Sequence, residues 1–212
     1  MEIIKAKALI AYPEAHDFME QRVADIRDEA ADEALWLLEH PALYTAGTSA
    51  QDEDLLDARF PVFKTGRGGQ YTYHGPGQRI GYVMLDLKRR QSVPDIKKYI
   101  YDLEEWIIRT VAEWGIIGER REGRVGIWVN LEPYGRDGEA KIAAIGVRIR
   151  RWVTFHGISL NLKPALDNFE GIVPCGLAGY GVTSFEDLGV SYEEGAVDAA
   201  LVKNFQAVFG PT

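Results

Sequence analysis

The chain has 212 residues, 46% of them hydrophobic and five of them tryptophan, which suits one packed domain and excludes a disordered polymer. Its 24 basic residues against 32 acidic ones exclude general nucleic-acid binding, although local patches such as Arg120-Arg121-Glu122-Gly123-Arg124 or Arg148, Arg150 and Arg151 can still dock acidic partners. No apolar run reaches the ~18 residues of a membrane span. The N-terminal Met1-Glu2-Ile3-Ile4-Lys5 lacks a signal core, and a single cysteine forbids an internal disulfide, so a soluble cytoplasmic protein that uses no membrane is expected.

In chain order, residues 3–10 predict a strand ending before Pro13. Ala15, Phe18, Met19, Val23, Ile26 and Ala30 recur at helical spacing, so an amphipathic helix spans 14–30. The apolar run 34–40, stopped by Pro41, predicts a strand, with a brief extended piece at 43–45. An acidic surface loop covers 49–59. A glycine-rich loop at 66–78 feeds an apolar strand over 80–87. Ile96, Ile100, Leu103, Ile107, Val111 and Trp114 mark a long helix with Pro94 and Asp95 at its start and Gly115 at its end. Strands are expected at 125–130, 141–151 and 152–162. Thr183-Ser184-Phe185-Glu186 and Ser191-Tyr192-Glu193-Glu194 match the capping box, the second opening a terminal helix closed at Gly210. Strands and helices do not alternate regularly, so the fold class is α+β, a single domain with a mixed, mainly antiparallel sheet flanked by helices.

Three features can carry chemistry. The run Arg67-Gly68-Gly69-Gln70-Tyr71-Thr72-Tyr73-His74-Gly75-Pro76-Gly77-Gln78 is either a hairpin connection or a loop presenting backbone to a ligand, and its polar residues favour the ligand. Cys175, between Pro174 and Gly176, sits on an irregular turn as a small hydrophobe or as an exposed nucleophile. Strand alternation places Lys141 with Ala143, Ile145, Val147 and Ile149 on an apolar face, where the amine either snorkels to solvent or meets an anion such as a thiolate. His40, His74 and His156 show no metal-ligand spacing, and His74 is the best candidate among them because it lies in the glycine run. The Walker loop, the nucleophile elbow and the dinucleotide fingerprint are missing.

These residues resemble a known family. The run from Arg67 to Gln78 is similar to the signature of the lipoyl(octanoyl) transferases, also called lipoate–protein ligase B. Leu38-Glu39-His40-Pro41 with Tyr44, Thr45 and Gly47 resembles the family's early motif. Lys141 to Arg148, then Phe155-His156-Gly157 and Asn161, resemble its central strands. Pro174-Cys175-Gly176 and Val182-Thr183-Ser184 resemble its closing motifs. The resemblance implies a catalytic fold like that of biotin and lipoate ligases. It implies octanoyl transfer from acyl carrier protein to a specific lysine of lipoyl domains, in 2-oxoacid dehydrogenase complexes and the glycine cleavage H protein. It further implies that Cys175 forms an acyl-thioester while Lys141 lowers the thiol's pKa and shuttles protons. The implied substrate contacts are Arg67, Gly68, Gly69, Gln70, Tyr71, Thr72, Tyr73, His74, Ala144, Ile145, Gly146, Gly157, Ile158 and Ser159. No metal and no separate cofactor are implied, since the acyl group arrives on the phosphopantetheine arm of the carrier protein.

The chemistry is physically sufficient. A free thiol needs about 2 kcal/mol to be half ionised near neutral pH, and an ammonium about 4 Å away offers about 4 kcal/mol before desolvation. Small residues at Gly68, Gly69, Ala143, Ala144 and Gly146 leave room for an acyl chain worth about 5 kcal/mol of burial. Rival readings are an adenylating ligase on the same fold, which needs no cysteine, a silent module that binds acyl carrier protein, and a cysteine hydrolase.

Overall fold

The computed structural model describes residues 1–173 and 180–210. Its elements are β1 (Glu2–Leu9), α1 (Tyr12–Arg27), β2 (Ala34–Glu39), β3 (Leu43–Ala46), β4 (Val62–Lys64), β5 (Tyr71–His74), β6 (Gln78–Met84), the short α2 (Leu87–Arg90), α3 (Ile96–Ala112), β7 (Gly118–Glu119), β8 (Ile127–Asn130), β9 (Glu139–Arg150), β10 (Val153–Asn161), β11 (Gly181–Val182) and α4 (Glu194–Phe209). The main sheet runs β1-β2-β6-β10-β9-β8-β7, with β11 beside β9, and a small sheet runs β4-β3-β5. The pairs β1–β2, β3–β4 and β9–β11 are parallel and the rest antiparallel, as the mixed pattern predicts.

Alternation along the central strands divides the core into two layers. In β2, Leu35 and Leu37 join Leu103, Trp106 and Ile107 of α3 and Leu201 and Phe205 of α4. Ala34, Trp36 and Leu38 face the other way, onto Ala15, Met19, Val23 and Ile26 of α1. A strand covered on both faces reads as a continuous apolar run, which is why 34–40 shows no polar alternation. Each such side chain contributes roughly 1.5–3 kcal/mol by leaving water. Arg79 of β6 and Asp198 of α4 pair at 2.7 Å, and the Trp106 indole donates to the Leu201 carbonyl at 2.8 Å, which locks the helical layer to the sheet.

Several local expectations need correction. Pro13 lies inside the first turn of α1, where its missing N–H costs nothing. Four residues of the glycine-rich run are strand: Tyr71–His74 is β5, buried and paired with β3. Ser191 does not cap α4, whose N-cap is Glu193 without a side-chain bond. Ser184 and Thr183 instead close a turn, Ser184 Oγ accepting from the Asp187 N–H at 3.1 Å and Thr183 Oγ1 donating to Asp187 at 2.6 Å. By contrast Asp95 caps α3 as its sequence predicts, accepting from the Lys97 and Lys98 amides.

The β9 alternation also fails, and this correction decides where the site lies. Trp128 of β8 pairs with Lys141, but its neighbour Ile127 pairs with Ala143. Ile142 is therefore an extra residue, a bulge that reverses the facing of everything before it. Ile142 and Ala143 enter the helical core. Lys141 does not share the face of Ala143 and Ile145; it turns to the side of Ala144 and Gly146. Ala143 thus adds no room to any acyl slot.

Candidate active site

Between the small sheet and the α1 side of the main sheet lies a cavity of about 300 Å³. Its walls include Thr45, Tyr71, Thr72 and His74 from the small sheet and Ile80, Tyr82, Ala144, Gly146, Gly157 and Ser159 from the main one. Of the residues that the resemblance nominates, Arg67, Gly69, Gln70, Tyr71, Thr72, His74, Lys141, Ala144, Ile145, Gly146, Gly157, Ile158 and Ser159 line it. Gly68 and Tyr73 stand elsewhere. The Gly68 amide is spent on the Val147 carbonyl at 2.9 Å. Tyr73 alternates to the far face of β5, packs edge-on against Phe169 and holds Asn168 through its hydroxyl. Cys175 lies outside the described residues.

Lys141 is buried, 6% exposed, and its ammonium has specific neighbours. Nζ donates to the Val125 carbonyl at 3.2 Å and stands 4.8 Å from the centre of the Trp128 ring. Gly126 makes this possible. Its φ is +122°, and a Cβ there would meet the Ala143 carbonyl at 2.8 Å and the Lys141 stem at 3.3 Å. The chain returns to Lys141 after the Cys175 segment: Val182 pairs with it in register, and the Thr183 N–H donates to its carbonyl at 3.0 Å.

Arg67 acts as a clasp. Its guanidinium donates to the carbonyls of Thr45, Gly68 and Gln70 at 2.8–2.9 Å and to Thr45 Oγ1. The early motif meets the glycine run here, with Thr48 N–H on the Arg67 carbonyl and Ser49 N–H on the Gly69 carbonyl. The stem of Arg67 lies over Gly146, where a Cβ would come within 2.9 Å of Arg67 Cδ. Arg67 therefore shapes the cavity wall while its charge is used in holding the loop.

Tyr12, His74, Tyr82 and His156 of the cavity wall, with His40 packed behind them, form a cluster of neutral imidazoles and phenols whose meeting no sequence pattern revealed. Burial pushes the His40 imidazole down to about 4. Burial, then the proximity of His40, pushes His74 down to about 3. Burial, then the Arg67 charge, does the same for His156, also to about 3. Tyr12 meets His156 Nε2 at 3.2 Å, and burial raises its hydroxyl to about 12. His40 Nδ1 donates to the Ile10 carbonyl at 2.6 Å, so its Nε2 accepts from the Tyr82 hydroxyl at 2.7 Å. His156 sits within β10 at φ +58°, a strained left-handed backbone for a non-glycine residue. Tyr12 carried no sequence signal, because only the packing of α1 across the sheets brings it to the cavity.

The basic patches are compensated in part. Arg148 and Arg150 pair with Glu20, and Arg120, Arg121 and Arg124 pair with Glu104, Glu105, Glu119 and Glu139. Among the described residues no group of His, Cys, Asp and Glu side chains converges as metal ligands would, and no helix is long and apolar enough to cross a membrane.

Residues 11–206 match the family model of the lipoyl protein ligase A/B catalytic domain. The chain is 61% identical over 95% of its length to an octanoyltransferase of Parvibaculum lavamentivorans, covering 89% of that protein. It is 58% identical over its full length to an octanoyltransferase of Rhodospirillum rubrum, covering 96% of that protein. Among solved structures, a lipoate-protein ligase A bound with ATP superposes with a TM-score of 0.73 at 16% identity, over 98% of this chain and 85% of the other. A biotin protein ligase of Aquifex aeolicus superposes at 0.53 and 8% identity, over 98% and 68%. At such identities the likeness is one of fold.

Proposed function

The chain belongs to the lipoyl protein ligase A/B catalytic-domain family as an octanoyltransferase of protein lipoylation, and from that premise we propose that it passes an octanoyl group from acyl carrier protein to a lipoyl-domain lysine through a thioester on Cys175. The observation that carries this reading is Lys141, a buried amine turned into the cavity by the β9 bulge and bonded through its backbone to the segment that follows Cys175.

Each half-reaction moves one proton. The Cys175 thiolate attacks the carrier-bound thioester, the new C–S bond forms, and the departing phosphopantetheine thiolate takes a proton from the Lys141 ammonium. The acceptor amine then attacks the acyl-enzyme, the amide C–N bond forms as the C–S bond breaks, and neutral Lys141 receives the amine proton. The donor arrives activated as a thioester, so the reaction needs no nucleotide and no metal. Short side chains in the cavity wall, Ala144 and Ser159 among them, leave the space for an alkyl chain, which gains about 0.8 kcal/mol per buried methylene. The acceptors are the lipoyl domains of 2-oxoacid dehydrogenase complexes and the glycine cleavage H protein, and the setting is the cytoplasm.

Intact-mass analysis after mixing the enzyme with octanoyl carrier protein tests the reading. The expected product is a single octanoyl adduct, absent from Cys175→Ser, that is discharged by a lipoyl domain without ATP. Modification that requires ATP and free octanoate would support an adenylating ligase in its place.

A further inference from the structure

A chain of buried amides runs from the cavity to the segment beside Lys141. His74 Nδ1 lies 2.7 Å from Gln78 Oε1, Gln78 Nε2 donates to Asn161 Oδ1 at 2.9 Å, and Asn161 Nδ2 donates to the Thr183 carbonyl at 3.0 Å. All three side chains are more than nine-tenths buried, and Gln78 and Asn161 are register partners across β6 and β10. The direction of the chain follows from its last link. A backbone carbonyl can only accept, so the Asn161 amide nitrogen faces Thr183 and its oxygen faces Gln78. The Gln78 nitrogen must then face Asn161, and its oxygen faces His74. An oxygen acceptor at Nδ1 requires the proton there, which leaves Nε2 bare on a ring that lines the cavity.

We propose that Gln78 and Asn161 are a positioning relay that holds His74 as the Nδ1–H tautomer, so that its bare Nε2 accepts one N–H of the acyl-receiving amine. The role rests on the transferase reading above. As the amine lone pair forms the C–N bond and the Cys175 thiolate leaves, one amine proton passes to Lys141, and the hydrogen bond to His74 orients the other. His74 takes no proton itself: burial makes it too weak a base near neutral pH, and an acceptor that stays neutral can orient an amine without capturing it. The same relay ties β5 to the Thr183 backbone, whose N–H is bonded to Lys141, so acceptor and proton carrier are held in one frame.

Nitrogen-15 NMR of the wild-type imidazoles reads the tautomer, and single-turnover kinetics read the role. His74 should show a protonated Nδ1 and an unprotonated Nε2 near neutral pH. An Nε2–H form or an imidazolium would overturn the assignment without any variant. In Gln78→Leu the anchor for Nδ1–H is gone, and discharge of the octanoyl-enzyme by a lipoyl domain should slow about tenfold, the worth of one neutral hydrogen bond, while acylation by the carrier protein is retained. His74→Phe should slow discharge at least as much. A variant that merely loosened the fold would slow both half-reactions, and that result, or discharge at the wild-type rate, overturns the relay. Failure of the wild-type enzyme to form any acyl adduct would overturn the transferase reading and this role together.

Discussion

Mild acid should destabilise this protein well above the range in which carboxylates titrate. His40, His74 and His156 are buried neutral, pushed down to about 4, 3 and 3 by desolvation, whereas an unfolded histidine titrates near 6.5. Below about 6.5 the unfolded chain binds protons that the folded chain refuses, so this stability is fully present above about 6.5 and is lost as pH falls toward about 3–4. Going from about pH 7.5 to about pH 5.5, each histidine costs about 1.4 kcal/mol, and together they cost about 4 kcal/mol. Carboxylates do not confuse this window: Glu105, for example, is held below the ordinary value by its hydrogen bonds to Arg120 and Arg109. Urea denaturation at several pH values measures the change directly, with an unchanged m-value expected. Replacing His40 by Asn should reduce the pH-dependent loss by about a third, whatever it does to stability at neutral pH. A loss below about 1 kcal/mol over this window would refute the assignment of neutral, desolvated imidazoles to the cluster beside the cavity.

Two substitutions separate architecture from chemistry. Arg67→Met strands the Gly68 carbonyl and removes a donor from Thr45 and from Gln70, whose carbonyl keeps the Gly47 amide; at about 1–3 kcal/mol for the unsatisfied group and about 1 kcal/mol for each other lost bond it should cost about 3–5 kcal/mol and lower Tm by roughly 10 °C. A calorimetric Tm within about 2 °C of wild type would show that the loop does not depend on the clasp. Lys141→Met fills the same volume beside Trp128 and should leave the urea midpoint nearly unchanged while reducing turnover by about 10²–10⁴-fold, the usual weight of a proton-transferring group. Retained turnover would assign the amine to packing.

Helix and strand positions were legible wherever one face or both were continuously apolar. The stripes of α1, α3 and α4 and the unbroken run of β2 follow from burial against a sheet, and burial leaves its mark in the sequence. The glycine run was legible as a place of close backbone approach, and most of its polar residues line the cavity. Lys141 was legible as an anomaly, but its face was not. A bulge depends on how β8 and β9 register, and a one-residue shift inverts every inference drawn from alternation. The cluster beside the cavity was hidden for a related reason: Tyr12, His40, Tyr82 and His156 come from separate elements, and no local pattern records that they meet. Composition and periodicity by themselves determined the class of fold, the glycine-rich wall and the residues able to do chemistry, because local backbone preference and burial act over a few residues. Only tertiary structure decided which way Lys141 points, what Arg67 holds and which side chains His74 meets, because those depend on strand register and on partners far away along the chain.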